Sequence, residues 1–231
     1  MSETPSSRDL IVKALAEKAV LKLEVLRNTE EAFKLLRKEL EGVQTDLNNT
    51  LSGIDKRIHL KNSEKGPYDL ELKFSDDILI FSMHTDVFAF EDAHPVRKTS
   101  YLTEDPGRGF CGMIMIYNFL SDSFKFKREN DVGLLIARIF VNKEGHFFVE
   151  GKRQLGFLYN DFEALQVNQQ NLRAVIESAI LYSIHFDIYA PPFDQMKMIT
   201  VQQVMDKSMS GLVSTGKRLG FKFQSDEDLI Q

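Results

Sequence analysis

The chain has 231 residues, 43% of them hydrophobic and 27% charged, with a formal net charge of −5. That composition suits one or two globular domains, and its acidic balance disfavours nucleic acid and anionic membrane as partners. The one cysteine, Cys111, rules out an intrachain disulfide.

The opening MSETPSSRD lacks a basic segment followed by an apolar run, which argues against a secretory signal. No stretch approaches the uninterrupted apolar length of a membrane span. The expectation is a soluble, cytoplasmic protein.

The first quarter carries the clearest pattern. Val12, Ala19, Leu26, Phe33, Leu40, Leu47 and Ile54 recur every seven residues, with Leu15, Leu36 and Val43 at the matching d positions. Such a repeat keeps one seam facing a partner helix, so these residues are the candidate self-association surface. Lys22, Thr29, Thr50 and Arg57 interrupt the d series. Two structures compete. A continuous helix over about residues 8–60, on the order of 75–80 Å long, would need a second chain to cover its seam. A helical hairpin would instead break near Asn28, which with Glu31 has capping-box spacing.

KNSEKGPYD, 61–69, reads as a boundary between a helical segment, 1–62, and an α+β domain, 68–231. The period then changes to two. Leu70, Leu72 and Phe74 alternate with Glu71 and Lys73 as in a half-buried strand, and Asp76-Asp77 leads to a central strand at 78–84. VFAF, 87–90, is a further short strand, and 91–111 is irregular. GMIMIYNFL, 112–120, is a buried strand or short helix. SFKFK, 123–127, alternates like a strand. Residues 132–141 and 146–154 form a hairpin about Asn142–Gly145, with glycine free to take a positive φ. A helix at 172–184 is capped by Asn168 or Asn171, and a second covers 200–209. The fold class is α+β: a long helix or helical hairpin, then a mainly antiparallel sheet covered by C-terminal helices.

Several short motifs fail their structural context. GLVSTGKR, 211–218, matches seven of the eight positions of G-x-x-x-x-G-K-[ST]. However, a helix precedes it, and Arg218 cannot ligate Mg²⁺. GRGFCG, 107–112, spells G-x-G-x-x-G without a βαβ unit. His84, Asp86, Glu91, Asp92 and His94 are solvated loop residues rather than a metal set, Cys111 is a core thiol, and His185 is a structural histidine. Asp131, Glu150 and Lys152 are spaced so that they resemble the D…[DE]-x-K core of the PD-(D/E)xK nuclease superfamily. The resemblance covers some 22 residues, and it implies two carboxylates holding Mg²⁺ beside a lysine that positions or activates water. A turn centred on Lys143 and Glu144 sets Glu150 opposite Ala137, about 20 Å from Asp131.

The leading reading is therefore a non-enzymatic oligomeric scaffold or binding protein without a cofactor. It self-associates through the heptad helix and presents an α+β domain to a protein or small ligand. Arg97, Lys98, Tyr101 and Arg108 of the 91–111 loop are the candidate partner contacts. The alternative is the Mg²⁺-dependent nuclease.

Overall fold

The computed structural model describes residues 6–186, 190, 192–202, 204 and 205. One continuous helix opens the chain: α1 (Ser7–Ala14), a π-helical turn (Leu15–Ala19) and α2 (Val20–Leu51). Ser6 and Asp9 close a capping box at its start. Of the two competing readings the continuous helix is the one found, ending at Leu51 rather than near 60, and the alternative hairpin break at Asn28 is absent. Asn28 is no cap; its Nδ2 donates to the carbonyls of Asn142 and Lys143 at 3.1 and 2.7 Å.

Nor does the seam wait for a second chain along its whole length. Ala32, Phe33, Leu36, Leu40 and Val43 are buried in one core with the chain's own sheet, Thr29 meets Gly112 of that sheet, and Val25 is buried as well. Spacings of three and four residues place them on one helical face. The π turn inserts an extra residue, which rotates everything before it by roughly 100° about the axis. Val12 is thereby turned off the line through Leu26, Phe33 and Leu40, so the seven-residue repeat in the sequence is not one straight seam in space.

Seven antiparallel strands form a single sheet among the described residues: β1 (Lys61–Gly66), β2 (Asp69–Phe74), β3 (Asp77–Met83), β4 (Phe88–Ala89), β5 (Phe110–Leu120), β6 (Leu134–Asn142) and β7 (Phe147–Gly151). Their order is β1-β2-β3-β5-β6-β7, with β4 also against β5. The polar stretch taken as a boundary is thus edge strand β1. Its ladder to β2 and the bond from Asn62 N to Gln44 Oε1 on α2 override its weak strand propensity. Residues 112–120 are the central part of β5. SFKFK is no strand, because helix α4 (Ser121–Lys125) turns the chain immediately after β5, with Ser123 Oγ donating to Asp131 at 2.6 Å. The β6–β7 hairpin forms at the expected turn, where Gly145 has φ +75°, but its second strand stops at Gly151, short of the expected 154.

The sheet is covered differently on its two faces. One face is lined by Leu70, Leu72, Leu79, Phe81, Ile114, Ile116, Ile139 and Val141, and it packs under α2 and α6 (Gln169–Ile184) in one core. Asn168 caps α6 through Asn171 N. The helix and sheet approach closely at Gly112, where a Cβ would lie 2.0 Å from Thr29 Oγ1. The other face carries a second cluster of Cys111, Met113, Phe140, Phe148 and Phe162, covered by Val96, Tyr101 and Leu102 from the 91–111 segment. That segment is ordered, not irregular. Two 3₁₀ turns, Pro95–Lys98 and Pro106–Gly109, flank helix α3 (Ser100–Glu104). Helix α5 (Gln154–Leu158) follows β7, and α7 (Phe193–Met196) follows α6. No described helix is long and apolar enough to cross a membrane. The GLVSTGKR stretch lies outside the described residues.

Candidate functional site

The second sheet face holds the chemistry-bearing side chains. Asn142 ends β6 fully buried, and its Oδ1 accepts from Glu144 N at 2.9 Å and His146 N at 3.0 Å. Its Nδ2 donates to the Tyr101 hydroxyl at 2.9 Å, which in turn donates to Glu144 at 2.8 Å. Arg108 lies over the Tyr101 ring at 4.3 Å and bonds Glu144 and the Tyr101 carbonyl, each at 3.0 Å. Burial pushes the Tyr101 hydroxyl up to about 12, and Glu144 adds in the same direction. Lys143 pairs with Asp105 and holds that carboxyl below its ordinary range.

Tyr101 and Arg108 are therefore committed inside the protein. They tie the covering segment to the hairpin rather than standing free on a loop. Arg97 bonds the Phe90 carbonyl at 3.1 Å and pairs with Asp92 at 3.2 Å. Of the four proposed partner contacts, only Lys98 is exposed. A bulky aromatic beside a β-strand is an anchor before it is a ligand contact, and that hydrophobic logic places Tyr101 in the core cluster.

The nuclease-like residues are not brought together. Glu150 stands opposite Arg138, one position from the Ala137 expected, because the connection between Val141 and Phe147 is longer than a centred turn. Asp131 precedes β6 and is held by Ser123 and by Arg128, 3.7 Å away. Glu150 is engaged by Arg138 and lies 3.4 Å from His94 Nε2. His94 Nδ1 accepts from Val96 N, which leaves the ring proton on Nε2, facing Glu150. Lys152 lies beyond the end of β7, in the turn leading to α5. Among the described residues, no group of three or more His, Cys, Asp or Glu side chains could hold a metal ion. Cys111 is buried, and desolvation pushes its thiol far up, so it is no nucleophile.

GRGFCG straddles a 3₁₀ turn and the start of β5, the reverse of the strand-then-helix order a dinucleotide needs. Its last glycine, Gly112, serves the close approach of α2 instead.

Two adjoining hollows lie along the β7 edge. The larger, about 910 Å³, includes Val96, Tyr101, Phe148, Phe162 and the 77%-exposed Phe157 in its lining. The smaller, about 540 Å³, is lined by Arg138, Lys152, Arg153 and Glu150 together with Leu135 and Ile136. They share Glu150, Gly151 and Arg153. Arg153 has φ 48° and ψ −124°, and Leu155 N donates to the Lys152 carbonyl at 3.1 Å. This is the first central position of a type II′ turn, where glycine is usual; a side chain there costs on the order of 1–3 kcal/mol. Sequence reasoning missed these hollows. The Gly-Lys-Arg stretch reads as the end of a strand rather than a turn, and the aromatic floor comes from segments distant in sequence.

Comparison of the chain with protein-family models, with curated proteins and with solved structures finds no match.

Proposed function

We propose that this chain is a non-enzymatic, self-associating binding protein, with the N-terminal part of its long helix as the association surface. One observation carries the reading. None of residues 7–24 is buried, although Leu10, Ile11, Val12, Leu15, Val20 and Leu23 all lie there and are 54–66% exposed. Farther along, Val25, Ala32 and Leu36 of the same helix are 0% exposed. The overhang is about 27 Å of helix at 1.5 Å per residue, and among the described residues nothing buries any of its side chains. An isolated helix of that length is marginal in water, and amphipathic helices draw most of their stability from packing. Covering one side of it with the same segment of a second copy supplies that packing and removes part of this exposed apolar surface from water.

The association surface is therefore shorter than the heptad series suggests. Val12 and Ala19 remain in it; Phe33 and Leu40 are spent on the chain's own core. Buried Cys111 fits the cytoplasmic location expected from the sequence.

Light scattering on a sizing column tests this with the full chain and a Leu15→Glu/Leu23→Glu variant. The wild type elutes as a dimer or larger assembly that dissociates on dilution, and the variant as a monomer with unchanged near-ultraviolet circular dichroism. A monomeric wild type, or a variant that assembles equally well, removes the proposal.

A further inference from the structure

We infer that the paired hollows beside β7 bind a small amphipathic organic anion: an aromatic or acyl body in the larger hollow, and one carboxylate-like head in the smaller. This names a ligand for the binding-protein reading but does not depend on self-association.

Charge decides the head group. Among the described residues the smaller hollow is lined by Arg138, Lys152, Arg153 and one carboxylate, Glu150. Arg138 and His94 already engage that carboxylate, so the head group rests on Arg153. Arg153 makes no side-chain hydrogen bond or ion pair among the described residues, yet it borders both hollows. A guanidinium is the side chain best shaped to hold a carboxylate by two parallel hydrogen bonds. Asp161 and Glu163 also line the larger hollow, which disfavours a second negative group on the ligand body.

Aromatic carbon decides the body. Phe148 and Phe162 pack at 4.8 Å between ring centroids as a rigid floor, and Phe157 stands exposed at the rim. The volume, about 910 Å³, lies in the range of small-molecule sites.

The backbone points to the same residue. The turn holds Arg153 tightly: Gly156 N and Phe157 N both donate to its carbonyl, at 3.2 and 3.1 Å. A Cβ on Gly156 would come within 2.3 Å of the Gly151 carbonyl oxygen, so the two sides of the turn touch. An arginine where a type II′ turn calls for glycine is strain that a purely structural turn has no reason to keep.

Calorimetric titration of the full chain tests this with three probes of one shape: 1-naphthylacetate, the neutral 2-(1-naphthyl)ethanol and cationic 1-naphthylmethylamine. The anion binds about tenfold more tightly than the alcohol, and the amine most weakly. Arg153→Gly binds anion and alcohol alike, and its melting temperature rises by about 2–4 °C as the strain is released. The Leu15→Glu/Leu23→Glu variant binds the anion as the wild type does, so loss of the dimer and loss of the site are read separately. Equal binding of the three probes, preference for the amine, or no binding at all overturns the inference. So does an Arg153→Gly variant that keeps the anion preference or melts lower.

Discussion

Gly112→Ala tests the junction on which the architecture depends. The added methyl would lie 2.0 Å from Thr29 Oγ1, 2.7 Å from its Cβ and 2.8 Å from its Cγ2. Comfortable carbon contacts are about 3.5–4.0 Å, so α2 must lift by about 1 Å or β5 must sink. Thr29 cannot turn aside, because it is 0% exposed and its hydroxyl donates to the Val25 carbonyl at 2.7 Å. Lifting the helix loosens Phe33 and Leu36 against the sheet. Overpacking of this kind costs about 1–3 kcal/mol, offset by about 0.5 kcal/mol from replacing glycine in a strand. The expected net loss is about 2 kcal/mol, read by urea denaturation, or about 4–8 °C in melting temperature for a chain of this size. Thr29→Ala removes two of the three clashing atoms, so the double variant should recover about 1 kcal/mol as a coupling energy. A Gly112→Ala protein as stable as the wild type, or a double variant with additive losses, would refute the close approach of α2 to β5.

Two further predictions concern the network about Asn142. Tyr101 has its folded pKa raised from 10.0 to about 12, so the folded state holds the proton more tightly than the unfolded state. Its contribution to stability is whole below about pH 10 and is lost as pH rises toward 12. The unfolding midpoint of the wild type should fall across that window more steeply than that of Tyr101→Phe, and parallel curves would refute the assignment. Asn142→Ala should cost about 2–4 kcal/mol, because it strands Glu144 N and His146 N and takes from the Tyr101 hydroxyl the donor that faces it. Asn28→Ala should cost only about 1 kcal/mol, the net worth of an ordinary neutral hydrogen bond, since it deprives two carbonyls at a part-buried site and leaves no N–H group without an acceptor. Chemical denaturation of both checks the order, and a larger loss at Asn28 would count against it.

Local chemistry made much of the fold legible. Alternation at Leu70, Leu72 and Phe74 placed β2, the Asn142–Gly145 turn placed the last hairpin, and of the two candidate caps for α6, Asn168 and Asn171, the structure uses Asn168. The errors have physical causes. Lys61–Gly66 lacks every strand signal and is a strand only because β2 and Gln44 supply hydrogen-bond partners. Phe124 and Phe126 alternate like strand residues, yet the chain bends into α4 directly after Leu120. Thr29, which looked like a flaw in the heptad seam, is where the helix comes close to the sheet at Gly112. Tyr101 and Arg108 looked like exposed loop contacts because a segment rich in turn residues says nothing about what lies beneath it.

The sequence by itself determined that the first quarter is amphipathic helix, as a rod or a hairpin, and that the sheet after it is mainly antiparallel. Those features rest on spacing within a few residues, where the helical and strand periods act directly. Only the tertiary structure decided which part of the helix meets its own sheet and which part is left uncovered. It alone gathered Phe148, Arg153 and Phe162 around one cleft, and kept Asp131 apart from Glu150. Those outcomes depend on strand register, on one π turn and on one glycine at a helix–strand contact. Each of these shifts whole faces of an element while leaving its local residue pattern unchanged.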